Sequence, residues 1–161
     1  MAMTAFPDAA AAGRRQARMM RVVNVPMRAV LSLPFPTPLS ANLMLVAYTG
    51  VKSGKAYLQP VSYARDGQTL LSPGGGRWTL NLSSERPIRI RLQGRDRRAV
   101  PELVREPAEV TELLQRMLAA NPRLASFVPV IDSNRQVDQA KLTHALGRGF
   151  CIVRWHLDAR S

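Results

Sequence analysis

Apolar and polar residues alternate most strictly at Ile88-Arg89-Ile90-Arg91-Leu92, which puts three aliphatic side chains on one face of a strand and two arginines on the other. Leu43 to Thr49 is an almost unbroken apolar run of strand length, and Tyr57 to Arg65 alternates enough to be its neighbour, with Gly50 to Lys55 as the turn. Asp66-Gly67 signals a second tight turn, because both residues tolerate the positive φ that a two-residue hairpin needs. Gln68 to Ser72 is then the returning strand. Arg97 to Val104 reads as an edge strand limited by Pro101, and Phe150 to Leu157 as the last strand.

Helical spacing is clearest after Pro107. Proline suits the first helical position, Glu109 and Glu112 complement the N-terminal dipole, and Val110, Leu113, Leu114, Met117 and Leu118 repeat on one face up to Asn121-Pro122. Ser133 with Gln136 has the form of a capping box ahead of a second helix, Val137 to Leu146, stopped by Gly147. Trp78 to Leu82 is long enough for one or two turns only. Residues 1–13 are small and alanine-rich and are expected to be disordered. Arg14 to Leu33 has the pattern of a basic amphipathic helix interrupted by Pro26, and Pro34, Pro36 and Pro38 enforce an extended connection after it. Residues 14–161 are thus expected to form a single domain. Strands and helices do not alternate as βαβ units, so the fold class is α+β with an antiparallel sheet.

At 161 residues, with 46% hydrophobic and 21% charged residues, the chain can bury a core without metal or disulfide staples. Its charge changes the picture more. A formal net charge of +12 implies an anionic partner, and only Lys52, Lys55 and Lys141 are lysines, the remaining cations being arginines suited to forked contacts with carboxylate or phosphate. A biased composition accounts for the same count. Cys151 is the single cysteine, so neither an internal disulfide nor a cysteine-based zinc site can form, and His144 and His156 lack ligand-like spacing; no metal is expected. The early arginines follow the apolar start, the reverse of a secretory signal, and the longest apolar run, Leu43 to Tyr48, is far short of a membrane span. The expected location is the cytoplasm, with membrane association through 14–33 left open.

Two loops carry candidate chemistry. Gly50-Val51-Lys52-Ser53-Gly54-Lys55-Ala56 differs from a Walker A loop in the spacing of its glycines and in having Ala56 where Ser or Thr would reach magnesium. It is a turn bearing two ammonium groups and a hydroxyl, which serves either as a phosphate grip or as a solvated basic turn. Ser72-Pro73-Gly74-Gly75-Gly76-Arg77-Trp78 contains three successive glycines, a costly arrangement that points to a special backbone conformation or a close ligand approach, or else to a flexible connector.

Taken together, Thr49-Gly50-x-Lys52-Ser53-Gly54-Lys55, Pro60-Val61-x-Tyr63-x-x-Asp66-Gly67 and Gly74-Gly75-Gly76-x-Trp78-x-x-Asn81-Leu82 resemble the deazaflavin (F420)-dependent nitroreductase-like family. The resemblance implies an antiparallel split β-barrel, FMN-binding-like, with flanking helices, holding F420 with its phosphate and glutamate tail in a basic groove. It implies that Lys52, Ser53, Gly54 and Lys55 meet the phosphate side, that Pro60, Val61 and Ser72 line the ring region, and that Gly74, Gly75, Trp78 and Asn81 shape the pocket. Val51 and Tyr57 stand where such proteins often place arginine, so Arg65, Arg89 or Arg91 would supply the missing contacts.

The function implied is an F420-dependent oxidoreductase acting on a small organic substrate. The cofactor performs hydride transfer and the protein supplies position and electrostatics, with Tyr63 and Ser72 as candidate hydrogen-bonding groups. FMN, FAD or haem are alternative ligands of such a barrel. A nucleic-acid module is the other class, motivated by Arg86, Arg89, Arg91, Arg95, Arg97 and Arg98, but that stretch lacks the interleaved aromatics of single-strand readers and no nucleic acid is expected. A homodimer and a peripheral contact with anionic lipid through 14–33 are both compatible with the enzyme reading.

Overall fold

β1 (Leu43–Thr49) and β2 (Ala56–Ser62) form a hairpin in the register Met44↔Val61, Val46↔Gln59, Tyr48↔Tyr57. The structure, a computed structural model, describes residue 32, residues 43–126 and residues 128–158. The expected disordered start and the amphipathic segment 14–33, Ser32 apart, lie outside the described residues. After Tyr63 come β3 (Ala64–Asp66), β4 (Thr69–Gly74), β5 (Ile88–Leu92), β6 (Arg95–Val104) and β7 (Cys151–Leu157), in one sheet of order β2-β1-β5-β6-β7-β4-β3. Every neighbouring pair is antiparallel.

The strand order has a geometric consequence. The outermost strands, β2 and β3, are joined through Tyr63 alone, so the sheet must curl until its two edges meet in one continuous segment. That segment pairs with β1 before Tyr63 and with β4 after it. β6 makes the opposite corner in the same way, pairing with β5 over Arg95–Ala99 and with β7 over Ala99–Val104. The expected edge strand is therefore central in the sheet order. Pro101 is tolerated because β5 has already ended there, leaving one side of the strand without a ladder among the described residues.

Alternation along these strands divides the core in two. Met44, Val46, Val61, Leu70, Ile90, Leu92, Val153 and Trp155 fill the inside of the barrel. Leu71, Val104 and Ile152 face outward and are covered by α1 (Pro107–Ala120), whose Val110, Leu113, Leu114 and Met117 are buried. Leu142 of α2 (Gln139–Gly147) joins the same outer core. Glu106 caps α1 by accepting from the Glu109 N–H at 2.8 Å. The capping box expected at Ser133 and Gln136 does not form. Asp132 Oδ1 instead accepts from the Asn134 and Gln136 N–H groups, holding a loop closed by the Ile131↔Val137 bridge, and Asp138 caps α2 through the Lys141 N–H. No helix among the described residues is long and apolar enough to cross a membrane.

Outside the barrel, Arg154 binds Glu102 and Glu109, each at 3.1 Å, and His156 Nε2 lies 2.7 Å from Glu102 Oε2. The His156 hydrogen bond first, and then Arg154, hold the Glu102 carboxyl below its ordinary 4.5, against the opposing effect of desolvation. A pKa lowered by folding gives stabilisation that is present above the unfolded value and is lost as pH falls through the folded one. Acid unfolding followed by circular dichroism should therefore show Glu102→Gln less stable than the parent at neutral pH, with the difference closing below pH 4.5, and the effect should be small because the group is partly exposed.

Leu114 is 1% exposed in the outer core, so Leu114→Ala should lower unfolding stability by about 2–5 kcal/mol in a denaturant titration. A much smaller loss would show that this helix face does not carry the packing described.

Candidate functional site

The basic turn between β1 and β2 is held by its own backbone. Gly50 N–H donates to Lys55 O and Gly54 N–H to Gly50 O, each at 2.8 Å, while Lys55 N–H reaches Ser53 Oγ at 3.3 Å. Gly54 adopts φ +68, a left-handed conformation that disfavours a side chain. With these amides engaged inside the turn, the anion-binding groups it presents are the exposed Lys52 and Lys55 rather than a nest of backbone N–H groups. Ser53 Oγ also lies 3.5 Å from the Tyr57 hydroxyl, so it belongs to the turn as much as to any ligand.

Asn81 ties this turn to a distant part of the chain. It ends a 3-10 turn, Arg77–Asn81, and its Oδ1 accepts from the Val51 N–H at 2.9 Å while its Nδ2 donates to Arg77 O and Trp78 O. Between the two segments lies a cleft of about 830 Å³, walled by Ala47 to Val51 and Gly54 on one side and by Leu80 to Ser83 and Glu85 to Ile88 on the other. Val51 and Leu80, 76% and 74% exposed, form apolar lips, and Arg86 adds a cation to the wall. Clefts of roughly 300–1,000 Å³ hold drug-sized ligands. Glu85 did not stand out in the sequence, and Arg86 and Ile88 were read there as part of an arginine-rich stretch and of a strand rather than as cleft residues.

Beside the cleft, aromatic rings form a file into the barrel. Tyr57 stacks on Tyr48 at 5.3 Å, Tyr48 meets Trp78 at 6.5 Å, and Trp78 lies parallel to Trp155 at 6.4 Å. Trp78 is thus a half-buried cover over the barrel end. Trp155 below it donates its Nε1–H to Ser72 Oγ at 3.1 Å, and both residues are fully buried. Tyr63 is also buried, its hydroxyl accepting from Gln93 Nε2 and its carbonyl from Asn121 Nδ2, and burial pushes its phenol pKa up. Ser72 and Tyr63 hence sit in the barrel interior as hydrogen-bonded core groups.

The remaining sequence candidates are dispersed. Pro60 and Val61, adjacent on β2, face opposite sides of the sheet: Val61 is buried against Met44 inside, and Pro60 pairs with Leu45. Arg89 is exposed on the outer face, where Arg91 pairs with Asp96 at 3.0 Å and donates to Ser32 O at 2.9 Å. Arg65 is exposed on β3. Gly74 and Gly75 pack closely, but against the chain itself. A Cβ on Gly74 would stand 2.9 Å from Cys151 Sγ, and one on Gly75 would stand 2.8 Å from Phe150 Cα and 3.0 Å from Gly149 O.

No family model matches the sequence, and no curated protein matches it. Solved structures superpose in outline: an F420 reductase at 13% identity over 81% of this chain and 92% of that one, TM-score 0.47, and a domain-swapped dimer at 15% identity over 84% and 98%, TM-score 0.47. A candidate pyridoxamine 5'-phosphate oxidase from Listeria innocua superposes at 10% identity over 73% and 84%, TM-score 0.47. The deciding observation is the pairing scheme itself, in which β2–β3 and β6 each change partner midway and close an antiparallel ring. The chain is a split β-barrel. In this split barrel, the basic turn and Asn81 meet at one cleft, while Tyr63, Val61 and Ser72 build the interior beneath it.

Gly75 has φ +126, so Gly75→Val introduces both backbone strain and a collision with the Phe150 backbone, which cannot yield as a flexible side chain would. Gly75→Val should therefore cost roughly 1–3 kcal/mol or more in thermal or denaturant unfolding. A melting temperature equal to that of the parent would contradict the close approach.

Proposed function

We propose that this split barrel is an F420-dependent oxidoreductase that transfers a hydride between the deazaflavin and a small organic substrate. The observation that carries this reading is the Val51 N–H to Asn81 Oδ1 hydrogen bond, which brings Thr49–Gly54 and Asn81–Leu82, separate pieces of the family resemblance, onto one cleft. The residues there suit a ligand with a flat ring and an anionic tail. Val51, Leu80, Leu82 and Ile88 line the cleft with apolar surface for the ring, Arg86 beside Glu85 puts a cation in its wall, and the exposed Lys52, Ser53 and Lys55 of the adjoining turn offer charge and a hydroxyl to a tail that leaves it.

When bound, the deazaflavin supplies the hydride chemistry, and the chain's work is to bind, orient and exclude water. Tyr63 and Ser72, the two hydroxyls named from the sequence, are engaged inside the barrel and carry no step at the cleft in this proposal. FMN lacks the long polyanionic tail that the basic turn would meet, so the charge on this turn favours F420 over FMN.

Titrating the purified apo-protein with F420 and with FMN, read by fluorescence, tests this. F420 should bind more tightly, its affinity should fall with added salt and with a shortened glutamate tail, and Lys52→Ala with Lys55→Ala should weaken it by about tenfold without lowering the melting temperature. FMN binding equal or better, or F420 affinity indifferent to salt, tail and both lysines, would overturn the assignment.

A further inference from the structure

A second cleft lies on the other side of the glycine loop. Of about 630 Å³, it opens between Gly74 and Gly75 on one wall and α2 on the other, and Val130, Ala145 and Phe150 contribute to an apolar lining. Val130 is buried, and Ala145 and Phe150 are half-buried against the outer core. Among the described residues, the polar side chains that line this cleft are Lys141, His144 and Arg148, and none is acidic. Their spacing along α2 and its C-terminal end sets them on one face of the helix.

The helix's own stability does not account for that arrangement. Arg148 stands at the C-cap, where a cation complements the dipole, but Lys141 is in the first turn, where a cation opposes it. Arg91, Arg116 and Arg154 elsewhere on the molecule meet carboxylates, whereas Lys141, His144 and Arg148 form no ion pair among the described residues.

We propose that this cleft binds an organic anion with a compact apolar body, its carboxylate or phosphate held by Lys141 and Arg148 and its body seated against Val130, Ala145, Phe150 and the bare backbone of Gly74–Gly75. Charge complementarity selects the occupant. The segment 14–33 carries Arg14, Arg15, Arg18, Arg21 and Arg28, so the cleft's own charge disfavours it as a covering element. A small anion gains from both the charge and the apolar lining, and a neutral molecule from the lining only. The site does not rest on the cofactor reading, because the two clefts share no residue.

The full chain, free of F420, is titrated by calorimetry with 1-naphthoate and with its neutral counterpart 1-naphthalenemethanol. Naphthoate should bind the more tightly, and its affinity should fall by about tenfold in Lys141→Ala with Arg148→Ala, while naphthalenemethanol is unchanged. Both substituted side chains are exposed, so a melting temperature equal to the parent's accompanies the loss. Ala140→Trp, at an exposed position on the rim, should block both ligands by filling the space. Equal affinity for the two ligands, no binding of naphthoate, or naphthoate binding that survives the double substitution or Ala140→Trp would overturn the proposal. F420 affinity measured on the same double variant should match the parent, which separates failure of this site from failure of the cofactor reading.

Discussion

Everything in this molecule depends on the turn of the chain at Tyr63. The sheet can close only because one residue carries the backbone from the ladder of β1 to that of β4, and a corner so short cannot be left to drift. Two amide side chains fix it. Asn121, which ends α1, donates to the Tyr63 carbonyl at 3.2 Å, and Gln93, from the β5–β6 turn, donates to its hydroxyl at 3.3 Å. One of these partners comes from the outer helix and the other from the turn between two central strands, so helix docking and barrel closure are coupled through the same buried residue. A buried amide or hydroxyl left unpaired costs about 1–3 kcal/mol, which makes this corner specific as well as stable.

The interior built around that corner fixes where chemistry can occur. Among the described residues, the Tyr63 hydroxyl is paired with Gln93 and Ser72 with Trp155, so these hydroxyls are engaged within the barrel itself. Ligand-binding capacity moves to the loops at the barrel end, where a rigid sheet positions residues that contribute little to the core. The chain from Gly74 to Asn81 is common ground: its start packs on Gly149 and Phe150, and its end locks the basic turn. Each of the two clefts is therefore framed by the same short connection.

Local pattern made most of the elements legible. The strand limits of β1 and β5 and the start of α1 follow directly from apolar spacing and proline placement, because in these segments the local signal and the tertiary environment agree. The exceptions have identifiable causes. The position of β6 in the sheet could not be read from Pro101, since whether a proline disturbs a ladder depends on which neighbour is present at that residue. The capping box was displaced because the Asp132 carboxylate takes the Gln136 N–H that Ser133 would have capped, and the helix begins later, under Asp138. In the site, the basic turn and Asn81 were legible as a motif. The family resemblance grouped Ser72, Val61 and Gly75 with them, whereas strand alternation turns Ser72 and Val61 into the barrel and Gly75 packs against Phe150. The cationic face of α2 was not singled out in the sequence, and the cleft beside it arises only from tertiary folding.

The aromatic file has an optical consequence. The chain's two tryptophans are the stacked pair Trp78 and Trp155, one at the mouth and one in the interior, so all indole absorption and emission originates from a single place. At this separation the two chromophores are electronically coupled, and Tyr48 and Tyr57 feed excitation into them through the same column. The protein's ultraviolet emission thus senses the polarity of the barrel mouth and the integrity of its core together. A chromophore settling over the cleft would stand at the end of an energy-transfer chain that the polypeptide already contains.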